Sequence, residues 1–214
     1  MRSSRSSDAL AVEFALLFFA LPVLLAFGHF RFPKLLLLLL VAWACWAVLR
    51  RTPGFDRRLL WNVEGFRKGV EGVLLLFLAS VPLFAAGVLL FAPQDFLDFP
   101  RRAPLFWGLV MVLYPLVSAY PQEVIYRAFL FERYRSLFRT EAALTWASAL
   151  AFGFLHILYG SVLAVALTVA GGYLFARTYR RSRSLLLSAF QHGLYGCLMF
   201  TIGLGHYFYR GHTF

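Results

Sequence analysis

Val70–Phe91 reads VEGVLLLFLASVPLFAAGVLLF, and after Glu71 no ionisable side chain interrupts it. About 20 apolar residues in a helix rising 1.5 Å per residue match the roughly 30 Å hydrocarbon core of a bilayer. Comparable runs recur along the chain. Spans are expected near Leu10–Phe27, Leu35–Leu49, Val70–Phe91, Leu105–Leu130, Ala142–Leu158, Val162–Ala176 and Leu185–Leu204. The fourth holds both Pro115 and Pro121, which leaves room for an eighth, half-buried helix. The expected fold is an all-α polytopic transmembrane bundle. Its parts are N-terminal helices over 1–104 with a basic loop at 50–69, core helices over 105–204, and a short tail over 205–214.

Composition supports this reading. Of 214 residues, 61% are hydrophobic and 14% charged, against about 25% charged in soluble domains. Such a chain is not disordered. With two cysteines, Cys45 and Cys197, both inside apolar runs, it is not a disulfide scaffold either. The net charge of +11 is placed at the ends of the apolar runs, with no basic stripe interleaved with aromatics, so no nucleic acid is expected as a partner. Of the 21 Lys and Arg, the stretches 1–9, 50–69, 131–141 and 177–184 hold 15, and the alternate loops hold 5. Basic residues mark the cytoplasmic side, so the N-terminus is expected in the cytoplasm and the C-terminus outside. The opening Met1-Arg2-Ser3-Ser4-Arg5 resembles a signal peptide, but the run after it is longer than a cleaved one needs and reads as a retained anchor. Between Arg50 and Gly69, Leu59, Leu60, Val63 and Phe66 recur at helical spacing beside Trp61. That suits a helix lying on the cytoplasmic leaflet, with a solvated loop as the alternative.

Ionisable groups at membrane depth are costly unless paired, and by default they mark function. Glu13 and Glu71 lie near span ends and read as structural, while His29, His206 and His212 lie at or beyond the boundaries. Glu123, Arg127, His156 and His192 remain, on three different spans. Glu123 and Arg127 are four apart and share a helix face, with Gln122 turned about 100° away. Counted from the nearest basic cluster, Glu123 and His192 lie about 15 Å and 14 Å deep, and His156 up to about 25 Å. The agreement favours convergence. A carboxylate and an imidazole can hold and deprotonate a water while a second imidazole stabilises an oxyanion. The same Glu123, His156 and His192 can instead ligate zinc or another divalent metal. A buried ion pair with two histidines as packing glue, or a proton relay in a small transporter, are the other readings.

Three motifs carry a resemblance: Gln122-Glu123-x-x-x-Arg127, Phe152-x-x-x-His156 and His192-x-x-x-Gly196. Their order, spacing and helix placement resemble the CPBP family of intramembrane proteases, which includes type II CAAX prenyl proteases and bacteriocin-processing or immunity membrane proteins. The family pattern has Glu-Glu-x-x-x-Arg and His-x-x-x-Asn, so Gln122 and Gly196 depart from it. The resemblance implies an integral membrane endopeptidase, with Glu123 as base, His156 holding the water and His192 as oxyanion donor. Arg127 then holds Glu123, and Gln122 is an auxiliary donor. It implies no cofactor under a glutamate mechanism, a membrane protein or lipid-anchored peptide as substrate, and a bacterial inner membrane as location. With the two departures, either Glu123 takes over the base role in a diverged subgroup, or the chain is a non-catalytic pseudoprotease that binds a membrane partner.

Overall fold

The computed structural model describes residues 7–28 and 33–208; His29 and His212 lie outside them. Seven long helices follow in order: α1 (Ser7–Phe27), α2 (Lys34–Arg51), α3 (Val63–Phe91), α4 (Pro104–Leu137), α5 (Glu141–Leu155), α6 (Val162–Ser182) and α7 (Leu185–Ile202). Among the described residues there is no strand. Six helices are long and apolar enough to cross a membrane: α1, α3, α4, α6, α7, and α5 with its following turn to Tyr159. The apolar run Leu35–Leu49 forms α2, which has 18 residues and carries Lys34 at its start and Arg50 and Arg51 at its end.

Polarity is inverted relative to a water-soluble domain. Leu105 is 90% exposed and Phe91 89%, whereas Glu123 and Arg127 are 0% exposed. An apolar exterior around buried polar groups is what a lipid solvent selects, because an unpaired charge facing hydrocarbon costs several kcal/mol, on the order given by insertion scales. The chain is an integral membrane protein.

Helix ends follow local chemistry. Asn62, Thr140, Ser161 and Ser184 each accept the backbone N–H three residues on, capping α3, α5, α6 and α7. Asn62 also corrects the expectation of one leaflet helix across Leu59–Phe66. The chain instead makes a short 3₁₀ turn over Arg57–Trp61, breaks at Asn62 and restarts as α3. Leu59 and Leu60 are buried in the main core, Phe66 begins the long helix, and Trp61 stacks on Tyr120 with ring centroids 5.0 Å apart. On the same end, Arg133 donates to both carboxylate oxygens of Glu13 at 2.5 and 2.7 Å, and Tyr134 adds a third bond. Glu13 therefore ties α1 to α4.

α4 has the shape that matters for the site. It is one helical path of 34 residues, without a separate eighth helix, but it widens to π-helix over Pro115–Ala119 and again over Val124–Phe129. Proline supplies no N–H to the turn before it. The carbonyl of Met111, four residues before Pro115, accepts instead from Cys197 Sγ of α7 at 3.7 Å. Gln122 and Glu123 occupy the single α-helical turn Tyr120–Glu123 between the two widened stretches. Such bulges recur at functional sites because they re-aim the side chains that follow.

Candidate active site

Glu123 lies at the centre of a fully buried polar cluster. One carboxylate oxygen, Oε1, is 3.0 Å from His192 Nδ1. The other, Oε2, accepts a short hydrogen bond from Ser188 Oγ and lies 3.2 Å from Arg127 Nε. Arg127 Nη2 donates to the Gly172 carbonyl at 3.0 Å, and its guanidinium carbon sits 4.6 Å from the centre of the Phe152 ring and 5.6 Å from that of Phe175. The carboxylate thus has hydrogen-bond partners on both oxygens and a cation beside it, which a buried charge needs if it is to be tolerated.

The two histidines have definite tautomers because their partners can only accept. A carboxylate accepts from His192, so its proton is on Nδ1. His156 Nδ1 lies 2.9 Å from the carbonyl of Phe152, one turn back, so its proton is on Nδ1 too. In the neutral rings both Nε2 atoms are then lone-pair acceptors. The Phe152 ring meets both imidazoles edge-on, with centroids at 5.0 Å to His156 and 5.2 Å to His192. Phe175 stacks on His192 at 4.8 Å and 15°. These aromatic walls leave the rings little freedom to turn.

His156 reaches its place because α5 ends there. It closes the helix with φ −75° and ψ 0°, a 3₁₀ turn follows to Tyr159, and Gly160 at φ +62° reverses the chain into α6. The tight Tyr159-Gly160-Ser161 turn needs a glycine, since that left-handed conformation is unfavourable with a side chain.

A cavity of about 1350 Å³ opens beside this cluster, walled mainly by apolar residues of α1 to α7. Gln122, His156, His192, Ser118 and Tyr114 are among its polar lining residues, as are Lys34, Ser80 and Thr168, and Gly196 lines it too. Among the described residues no carboxylate lines it. The residues singled out from sequence are thus brought together, but on two levels. Gln122, His156 and His192 face the cavity, while Glu123 and Arg127 stand behind His192. Gln122 turns its Nε2 to Ser118 Oγ at 2.9 Å. Among the described residues no group of three His, Cys, Asp or Glu is arranged to hold a metal. Geometry explains this for Glu123, His156 and His192: both Glu123 oxygens point at Ser188, Arg127 and His192 Nδ1, away from the His156 Nε2.

Sequence reading passed over two participants. Ser188 sits four residues before His192, on the same face of α7, and helical spacing alone could have drawn attention to it. Tyr114 is one aromatic in an apolar run, and nothing in its local sequence sets it apart. Its hydroxyl lies 3.1 Å from His192 Nε2. Of the outlying candidates, His206 bonds its Nδ1 to Gly203 O at 2.9 Å, and Glu71 is exposed on α3.

Residues 103–198 match the family described as type II CAAX prenyl endopeptidase Rce1-like. No curated protein and no solved structure matches the chain.

Proposed function

With the match over residues 103–198 supporting assignment to the CPBP/CAAX protease family, we propose that this chain is an endopeptidase that hydrolyses a peptide bond of a lipid-anchored or membrane-embedded substrate. The observation that carries the reading is the cavity: a large, mainly apolar volume lined by both His156 and His192. An apolar chain such as a prenyl group fits the first part of that description, and a water held for attack fits the second.

The roles follow from the hydrogen bonds and differ from those expected from sequence. We assign the base to His192 rather than Glu123, because His192 lines the cavity and Glu123 does not. His192 Nε2 takes a proton from water as the water oxygen attacks the carbonyl carbon. The imidazolium formed is balanced by Glu123, which holds Nδ1–H and fixes the tautomer, while Arg127 and Ser188 hold Glu123. His156 Nε2 accepts the water's second hydrogen and orients it. Collapse of the tetrahedral intermediate returns the proton from His192 to the leaving nitrogen as the C–N bond breaks. No step uses a metal or cofactor. The 15-to-5 basic bias supports a cytoplasmic N-terminus, and the family resemblance supports a bacterial inner membrane as the location.

The test is purified protein in proteoliposomes with a prenylated Cys-a-a-X peptide, followed by mass spectrometry. The expected result is one new C-terminus, with His192→Ala slower by about 10²–10⁴. Saturable binding of the intact peptide without any cleavage would instead establish the binding-protein reading.

A further inference from the structure

His192 has no N–H to spare for an oxyanion. Its Nδ1–H is committed to Glu123 and its Nε2 is a proton acceptor, so the donor must come from elsewhere on the cavity wall. Gln122 directs its amide N–H to Ser118. Gly196, one turn beyond His192 on α7, has no side chain at all. A Cβ built on Gly196 meets the ring and hydroxyl of Tyr114. The phenol of α4 therefore occupies the volume that any side chain at position 196 would fill. Pro115 makes the same approach to Gly193, whose Cβ would meet the proline ring at 3.1 Å. Two glycines spaced three apart thus let the Tyr114-Pro115 segment press against α7 and bring the hydroxyl to His192.

Resting on the endopeptidase reading above, we propose that Tyr114 is the oxyanion donor of this site and that Gly196 is the gap that admits it. At rest, Tyr114 O–H donates to His192 Nε2 at 3.1 Å. Hydroxyls rotate freely about the C–O bond, so the same proton can swing to an oxygen bound nearby. The one lone pair of Nε2 takes one proton at a time, so substrate binding first draws the phenol from Nε2 to the carbonyl oxygen. Water then attacks, its proton passes to the freed His192 Nε2 and the carbonyl π pair moves onto oxygen. Nε2 then no longer accepts, and the phenol donates to the new oxyanion. When the C–N bond breaks, the oxyanion reforms the carbonyl, the His192 proton goes to nitrogen, and Tyr114 O–H returns to Nε2. The phenol keeps its proton throughout. Its position lets one hydroxyl occupy the base at rest and serve the product of that base's action.

The experiment compares wild type, Tyr114→Phe and His192→Ala in proteoliposomes, using the prenylated peptide and two uncleavable versions of it. One carries a tetrahedral phosphonate at the scissile position. The other carries a reduced CH₂–NH bond and has no carbonyl oxygen. Phenylalanine keeps the ring packed on Gly196, so the helix contact is retained. Tyr114→Phe is expected to lower kcat about 10²–10³-fold with little change in KM, as loss of one oxyanion donor does. It is also expected to weaken phosphonate binding by a similar factor while leaving the reduced-bond peptide unchanged. A Tyr114→Phe enzyme at full rate, or one that loses both ligands equally, overturns the assignment. Cleavage by wild type that His192→Ala abolishes and Tyr114→Phe leaves intact overturns this inference alone. Absence of cleavage by wild type overturns the endopeptidase reading and the inference with it.

Discussion

Glu123 Oε1 and His192 Nδ1 are 3.0 Å apart across the α4–α7 contact, and both groups are buried. That contact orders the rest of the site. A carboxylate behind an imidazole fixes which ring nitrogen carries the proton and supplies the countercharge when the other nitrogen gains one. Arg127 and Ser188 complete the support at the far side of the carboxylate. In the proposed mechanism the acidic residue therefore acts through the histidine.

Replacing Glu123 removes the partner of a fully buried cation. Glu123→Gln is expected to destabilise the protein by about 3–5 kcal/mol, the range for breaking a buried pair, in addition to abolishing turnover. Glu123→Gln with Arg127→Met should regain much of the stability and none of the activity. Thermal unfolding in detergent, read beside peptide cleavage, separates the two effects. A single mutant as stable as wild type would show that Arg127 is neutralised by something other than Glu123.

Gly196 is expected to resist any side chain while Tyr114 is present. Gly196→Asn should cost about 1–3 kcal/mol, the usual range for overpacking, because its Cβ enters the Tyr114 ring. Adding Tyr114→Ala empties that volume, so the double mutant should be more stable than the sum of the two single changes. The coupling between them in a double-mutant cycle is the quantity to measure. Additive effects would mean that the two positions are not in contact.

Much of this was legible in the sequence, for identifiable reasons. Apolar run length reports helices directly, and all seven runs became helices. Glu123 and Arg127 could be paired in advance because four residues place two side chains on one helix face. Spacing could not show which side of His192 the carboxylate occupies, since that depends on how α7 is rotated against α4. Tyr114 was invisible for a related reason. Its significance lies in the absence of a side chain 82 residues later at Gly196, a relation that only packing reveals. The loop after α2 was misread because Leu59 and Phe66 fit a helical spacing that Asn62 interrupts with its own cap.

Topology gives an independent prediction. A reporter fused after Arg183 should behave as cytoplasmic and one fused after Phe214 as external, following the basic bias of 15 to 5. The six helices that meet the requirement by length and composition would alone return the chain to its starting side. Opposite locations for the N-terminus and Phe214 therefore require α2 to cross as well. Both ends on one side would make α2 a helix that does not span.

Gln122 is the cavity residue whose replacement separates a histidine base from a carboxylate base. Its side chain already faces the cavity wall and bonds Ser118 at 2.9 Å, so Gln122→Glu changes chemistry with little change in volume. Ser118 can reverse its role and donate to the new carboxylate, which keeps that hydrogen bond. The ionised carboxylate should cost several kcal/mol, the order for a charge at membrane depth without a cation beside it, which thermal unfolding in detergent measures. Turnover should be preserved or raised, because a second acceptor then stands beside the water that His156 and His192 hold. The informative comparison is Gln122→Glu placed on His192→Ala. If the introduced carboxylate restores cleavage, a base at position 122 can replace the imidazole; if it does not, His192 is required for handing the proton to the leaving nitrogen. Wild type and Gln122→Glu should both keep their rates after dialysis against a strong chelator. Loss of activity that zinc restores would move the water onto a metal held by the histidines and end the assignment of His192 as base.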